Sequence, residues 1–224
     1  MMLTRPFLLL LLPLCLLLGG CFEVLEDITV KANGSGTFHF TVNMSQSKAK
    51  LQSAMALDSM DGYKVPKKQD ILKKLDTARL TLAAVKGVSN VSYKADFDNF
   101  IFAVKFDFNS VPTLNNALQA LAQRFSHDKK RVPEADNNYL LAGKIFERKN
   151  IYDAKKETAK LKGKDSEILQ KATYTSVFHF EKDVKACSNP DAKISPNRKN
   201  VMLRMNMLQL VKGEKKIGNR VEFN

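Results

Sequence analysis

Asn33-Gly34-Ser35-Gly36-Thr37-Phe38-His39-Phe40-Thr41-Val42 is the stretch that decides the fold class. Asn-Gly adopts positive φ readily, so Asn33 to Gly36 predicts a hairpin turn. Beyond it the residues alternate. Phe38, Phe40 and Val42 fall on one face, His39 and Thr41 on the other. Such alternation marks a half-buried strand. Residues 22–31 alternate loosely on the near side of the turn and supply its partner.

Moving toward the C-terminus, residues 45–60 read as a helix with Leu51 and Met55 on its buried side. Gly62 and Pro66 break it. A second helix is expected over 67–86. Ile71, Leu75, Ala78, Leu82 and Val85 recur at steps of four and three, an apolar stripe facing a core. Lys67, Lys68, Lys73, Lys74 and Asp76 take the other faces, and Gly87 ends the helix. Val91 to Phe97 and Phe100 to Phe108 alternate on either side of a turn at Asp98-Asn99, a second hairpin with an aromatic inner face. Ser110 caps a third helix and Pro112 sits in its first turn. Leu114, Leu118, Leu121 and Phe125 form that helix's apolar stripe.

Residues 126–138 read as loop, Tyr139 to Glu147 as a strand, and 151–171 as a charged surface helix or excursion. Ala172 to Val184 and 200–211 read as strands, the second with Val201, Leu203, Met205 and Met207 on one face. Ser188 to Asp191 and Pro196 to Asn200 are turns. Val221 and Phe223 suit a sheet edge. The expected order is ββ-αα-ββ-α-β-β-β: an α+β fold, mainly antiparallel, with about three packed helices.

Toward the N-terminus the pattern changes. Arg5 precedes an apolar run from Phe7 to Leu18, interrupted by Pro13. The run is too short to span a bilayer, which takes roughly 20 apolar residues. A charged start, a short apolar run and then small residues is the order of a signal peptide. It ends Leu18-Gly19-Gly20-Cys21, which resembles a bacterial lipobox. Small residues at 19 and 20 let a peptidase reach the Gly20–Cys21 bond, and the free Cys21 thiol takes a diacylglyceryl group. Residues 1–20 are therefore expected to leave, and residues 21–224 to form one lipid-anchored envelope domain. Each acyl methylene contributes about 0.8 kcal/mol to anchoring. No Gly/Ser-rich tether separates Cys21 from the first strand.

The 224-residue chain is basic, with a formal charge of +13, and Arg5 alone carries charge out of residues 1–20. Residues 126–164 hold eleven Lys/Arg against six Asp/Glu, and residues 193–224 hold eight against two. An exported basic domain does not meet cytoplasmic nucleic acid. Its counter-ions are anionic lipid headgroups, lipopolysaccharide phosphates or acidic polymers. The candidate contacts are Lys129, Lys130, Arg131, Lys155, Lys156, Lys215 and Lys216; a generic solvated surface is the competing explanation.

The lipobox, the strand leading into Asn33-Gly34-Ser35-Gly36-Thr37, and the Phe178-x-Phe180-x-x-x-Val184 segment followed by Ser188-Asn189 resemble a group of small bacterial lipoproteins of unassigned function. Their folded part is similar to the LppM-type lipoprotein domain. The resemblance runs loosely over residues 21–211. It implies an envelope α+β domain in contact with lipids or glycolipids, and it brings no catalytic residue. The basic segment 126–164 departs from the family pattern.

Catalytic signatures are missing. The sequence holds no G-x-S-x-G, H-E-x-x-H, C-x-x-C or P-loop. His39 and His179 each sit in a Phe-His-Phe tripeptide, and on adjoining strands they could begin a metal site. Cys187 and Asp183 are too loosely placed to complete one, and two outward polar residues flanked by buried Phe explain the pattern better. His127 stands in the basic loop. Asp96 and Asp98 flank a turn and read as solvated. Cys187 is left alone once Cys15 departs and Cys21 is acylated, so no disulfide forms within the mature chain. No cofactor is expected. The function expected is a non-catalytic envelope lipoprotein, in the outer membrane, touching anionic lipid, glycolipid or an envelope partner. The alternatives are a metal-dependent envelope hydrolase using His39 and His179, and a structural subunit of an outer-membrane assembly.

Overall fold

A computed structural model describes residues 22–60, 63–125, 138–149 and 163–224. The opening hairpin forms as expected. β1 (Glu23–Val30) pairs antiparallel with β2 (Gly36–Asn43). Asn33 shapes the turn: its Oδ1 accepts from the Ser35 backbone N–H at 3.0 Å, and Gly34 adopts φ +82°. Gly36 is needed for a different reason. A Cβ there would lie 1.9 Å from the Thr29 carbonyl oxygen and 2.6 Å from the Phe108 ring.

The chain continues through a single 3-10 turn (Ser45–Ser47) into α1 (Lys48–Met55), then β3 (Ser59–Met60) and β4 (Tyr63–Lys64), which pair with each other. The helix expected over 45–60 is therefore cut short. The Leu57 carbonyl accepts from Lys67 Nζ at 3.1 Å and the Asp58 carbonyl from the Val65 N–H at 3.0 Å. Those carbonyls are taken by the returning chain. Ala54, rather than Leu51 or Met55, is the buried residue of α1.

α2 (Lys68–Ala83) carries the stripe as read, with Leu82 and Ala78 fully inside and Ile71, Leu75 and Val85 half-buried. The hairpin of β5 (Val88–Asp96) and β6 (Ile101–Phe108) follows. Phe106 and Phe108 face the core, but Phe100 lies in the turn at φ +54° rather than in the strand. α3 (Val111–Phe125) starts at Ser110, whose Oγ accepts from the Thr113 N–H at 3.3 Å. Leu114 and Ala117 are buried, whereas Phe125, at the helix end, is 43% exposed.

Four further expectations are corrected. Tyr139 to Glu147 is not one strand but a hairpin, β7 (Tyr139–Ala142) and β8 (Ile145–Arg148), turned by Gly143 at φ +58°. After α4 (Gly163–Gln170), the strand expected over 172–184 splits into β9 (Thr173–Phe180) and β10 (Val184–Cys187). Lys199 holds that corner. Its Nζ donates to the Glu181 carbonyl at 2.5 Å and pairs with Asp183 at 2.8 Å. After β11 (Lys193–Ile194), the long strand over 200–211 stops as β12 (Asn200–Asn206) and becomes α5 (Met207–Val211). The Asn206 side chain accepts from the Leu208 and Gln209 N–H groups and caps the new helix. Finally, β13 (Asn219–Phe223) is no edge. It lies between β10 and β8, with Val221 and Phe223 buried.

The architecture is α+β and mainly antiparallel, with five described helices. A seven-stranded sheet runs β11-β12-β9-β1-β2-β6-β5, and a four-stranded sheet runs β10-β13-β8-β7. Only the β1–β9 pair in these sheets is parallel. The main core joins the two sheets with α2 and α3, through Ile28, Phe38, Phe106, Leu114, Phe146 and Phe178. A second cluster of Tyr174, Leu203, Met205, Leu210 and Ile217 lies at the α5 side. Both cores close within residues 22–224. No described helix is long and apolar enough to cross a membrane.

Candidate functional site

The start of β1 organises one end of the main sheet. The Phe22 carbonyl accepts from the Thr173 N–H at 3.0 Å, so the chain enters the sheet at its first described residue. Ladder register then sets Glu23 opposite Asn43 of β2 and opposite Thr173 of β9. The 3-10 turn after β2 and the α4–β9 junction close over this end. Between them is a cleft of about 190 Å³, lined by Phe22, Glu23, Asn43, Gln46, Lys171, Thr173 and Arg204. Arg204 Nη2 stands 3.6 Å from Glu23 Oε1, which also accepts from Thr175 Oγ1 at 3.2 Å. Sequence reading singled out neither Lys171 nor Arg204. The signal was there in the β12 alternation, where Arg204 falls on the face opposite Leu203 and Met205.

The same outward face of the sheet carries both candidate histidines. His39 lies opposite Asp27 across the β1–β2 ladder, and His179 lies opposite Thr29 across the β1–β9 ladder. Strand β1 therefore separates them. Asp27 Oδ2 is 3.2 Å from His179 Nε2, and Asn200 Oδ1 is 2.8 Å from His179 Nδ1. His39 Nε2 is 3.4 Å from Thr41 Oγ1 along its own strand. With both ring nitrogens of His179 engaged, no lone pair points to a shared ion. Among the described residues no group of three His, Cys, Asp or Glu is arranged to hold a metal.

Of the candidate basic contacts, Lys215 and Lys216 lie in the segment between α5 and β13. Lys215 Nζ is paired with Asp191 at 2.7 Å, and Lys216 is exposed. Pairing with Asp191 reduces the attraction Lys215 offers to another anion. Lys129, Lys130, Arg131, Lys155, Lys156 and His127 lie outside the described residues, as do Gly20 and Cys21. Cys187 is half-buried at the end of β10, and burial pushes its thiol upward. That protonated state suits a packing residue better than a nucleophile.

A second constellation lies inside the molecule. Glu26, on the buried face of β1, accepts a hydrogen bond from the Tyr139 phenol of β7. Arg148 of β8 places Nε 3.6 Å from Glu26 Oε1, and its guanidinium carbon lies 4.7 Å from the Tyr139 ring centre. The buried Tyr174 hydroxyl lies in the same electrostatic neighbourhood, beside Glu26 and Arg148. Burial pushes the Tyr139 phenol well above its ordinary range, and the Glu26 carboxylate adds to the shift. Tyr174 moves the same way for the same two causes. Neither hydroxyl is suited to act as a base near neutral pH. The cluster ties the four-stranded sheet to the seven-stranded one. Sequence analysis passed over it, although an acid on the inner face of β1 between Val24 and Ile28 breaks the apolar alternation.

No family model matches the chain, and no curated protein matches it in sequence. Among solved structures it is similar to the folded domain of LppM from Mycobacterium tuberculosis, determined by NMR. The match has 13% identity and a TM-score of 0.43, and covers 92% of this chain and 91% of that one.

Proposed function

We propose that the protein is a non-catalytic lipoprotein of the bacterial envelope. It is anchored through Cys21 in the outer membrane, and contacts anionic lipid or glycolipid through basic side chains. The observation that carries this reading is that Phe22 leads directly into the central strand, which begins at Glu23. With Cys21 acylated, one residue would separate the lipid from a rigid sheet. The end of the sheet holding Lys171 and Arg204 would then stand within reach of the headgroups. A Lys or Arg near an anionic surface contributes on the order of 1 kcal/mol, and the effect fades over roughly 10 Å.

Vesicle sedimentation tests the reading. A soluble chain of residues 22–224 should bind anionic vesicles at low salt and leave them at high salt. Reversing charge at Lys129, Lys130 and Arg131 should weaken that binding. Equal binding to neutral and anionic vesicles would overturn the electrostatic contact.

A further inference from the structure

The cleft beside Phe22 has a donor set that the described residues do not use. Among the described residues the side chains of Lys171, Gln46 and Thr173 have no hydrogen-bond or ion-pair partner, although all three line the cleft. Asn43 spends only its Oδ1, on the Ser45 N–H at 3.0 Å. Arg204 has one partner, Glu23, at 3.6 Å, beyond hydrogen-bond distance. Two cations and three neutral donor side chains thus converge on a pocket with a single carboxylate. Free charge-assisted donors around a concavity suit a monoanionic oxyanion, and Arg in particular can grip two of its oxygens.

We propose that this cleft is a binding site for the phosphodiester of a membrane-lipid headgroup. The inference rests on the anchored reading, which supplies the source of the phosphate. Phe22, next to the acylation site, forms part of the wall, so headgroups of the anchoring leaflet would be the nearest phosphates. Arg204 and Lys171 take the phosphate oxygens. Gln46, Asn43 and Thr173 donate to the remaining oxygens or to the ester arm. Glu23 disfavours a doubly charged monoester and accepts from a hydroxyl of the headgroup. The cleft therefore prefers a diester carrying a polyol arm to free phosphate.

The test uses soluble residues 22–224, with sn-glycero-3-phosphoglycerol and inorganic phosphate as separate probes, followed by amide chemical shifts and calorimetry. The diester should shift the amides of Gln46, Lys171 and Thr173. Arg204→Gln and Lys171→Gln should each weaken it about tenfold or more, the loss expected for one charge-assisted hydrogen bond. Lys73→Gln and Lys74→Gln on α2 should leave it unchanged. Glu23→Gln should narrow the preference for diester over inorganic phosphate, an effect that misfolding would not produce. Equal affinity for both probes in the unaltered chain would overturn the headgroup assignment. So would shifts spread over the basic surface. Vesicle binding without diester binding would sink the site and leave the surface reading standing. Diester binding without vesicle binding would do the reverse.

Discussion

Glu26 and Tyr139 are 113 residues apart in sequence and share a hydrogen bond inside the protein, with the phenol donating. Arg148 completes a buried charged cluster at the junction of the two sheets. Glu26→Gln keeps the shape and removes the negative charge. Removing one partner of a buried pair leaves the other charge uncompensated, which typically costs about 3–5 kcal/mol. Tyr139→Phe removes only a donor and should cost about 1–3 kcal/mol. Urea unfolding of the two variants checks the order. If Glu26→Gln proves the milder change, the charge on Arg148 is balanced elsewhere.

Leu82 is fully buried on the inner stripe of α2, and Leu75 is half-buried two turns before it. Leu82→Ala should cost about 2–5 kcal/mol, the range for a large-to-small change in a packed core. Leu75→Ala should cost less. Thermal melts of both variants would show this, and an unmoved Leu82→Ala melt would place the stripe outside the core.

Gly36→Ala should disrupt the opening hairpin although its φ is ordinary. The added methyl would meet the Thr29 backbone, which cannot swing aside as a side chain can. A folded variant with an unchanged melt and unchanged β1–β2 amide protection would contradict the register. Gly143→Ala offers a contrast, because its Cβ meets nothing within 4 Å and only its positive φ opposes the change.

Asp107 accepts from Thr37 Oγ1 at 2.6 Å and from Asn90 Nδ2 at 2.7 Å. These bonds, that from Thr37 first, hold its carboxyl below the usual carboxylate range. The native state thus favours the ionised form. Its contribution is complete above the ordinary carboxylate pKa of about 4 and is lost as pH falls through the lowered native value. Asp107→Asn should melt below the parent at pH 7, and the gap should close in acid. A gap that is constant with pH would remove the charge from the account.

Cys21→Ser should prevent both lipid attachment and processing at Gly20. Cells fed a radioactive fatty acid would show the result. A serine variant that still takes up label and reaches the mature size would end the anchor reading.

The antiparallel frame was legible because alternation and Asn-Gly chemistry are local signals. So was the α2 stripe, since five apolar positions fix one helical face. The errors came where tertiary bonds compete with local pattern. Asn206 fits a strand by alternation, yet its side chain caps α5. Val184 extends the β9 pattern, yet Lys199 turns the chain before it. Gly143 interrupts an apolar run, and its positive φ turns β7 into β8. The cleft was the least visible feature, because Lys171 and Arg204 are brought to Phe22 only by the β1–β9 and β9–β12 pairings. Counting charge by segment pointed instead to Lys215, which Asp191 already engages.

The parallel pairing of β1 with β9 also sets an order of events. Chains are synthesised N-terminus first, so β1 appears well before β9, with β2 soon after β1. The other flank of β1 is filled by Thr173 to Phe180, most of a chain length later. Pairing over such a separation is slow, because the loop entropy is lost before the contact forms. Until then the β9-facing edge of β1 stands open and can capture a foreign strand. Folding of this protein should accordingly be sensitive to chaperones that shield unpaired edges, and C-terminal truncations short of β9 should aggregate rather than yield a smaller folded unit.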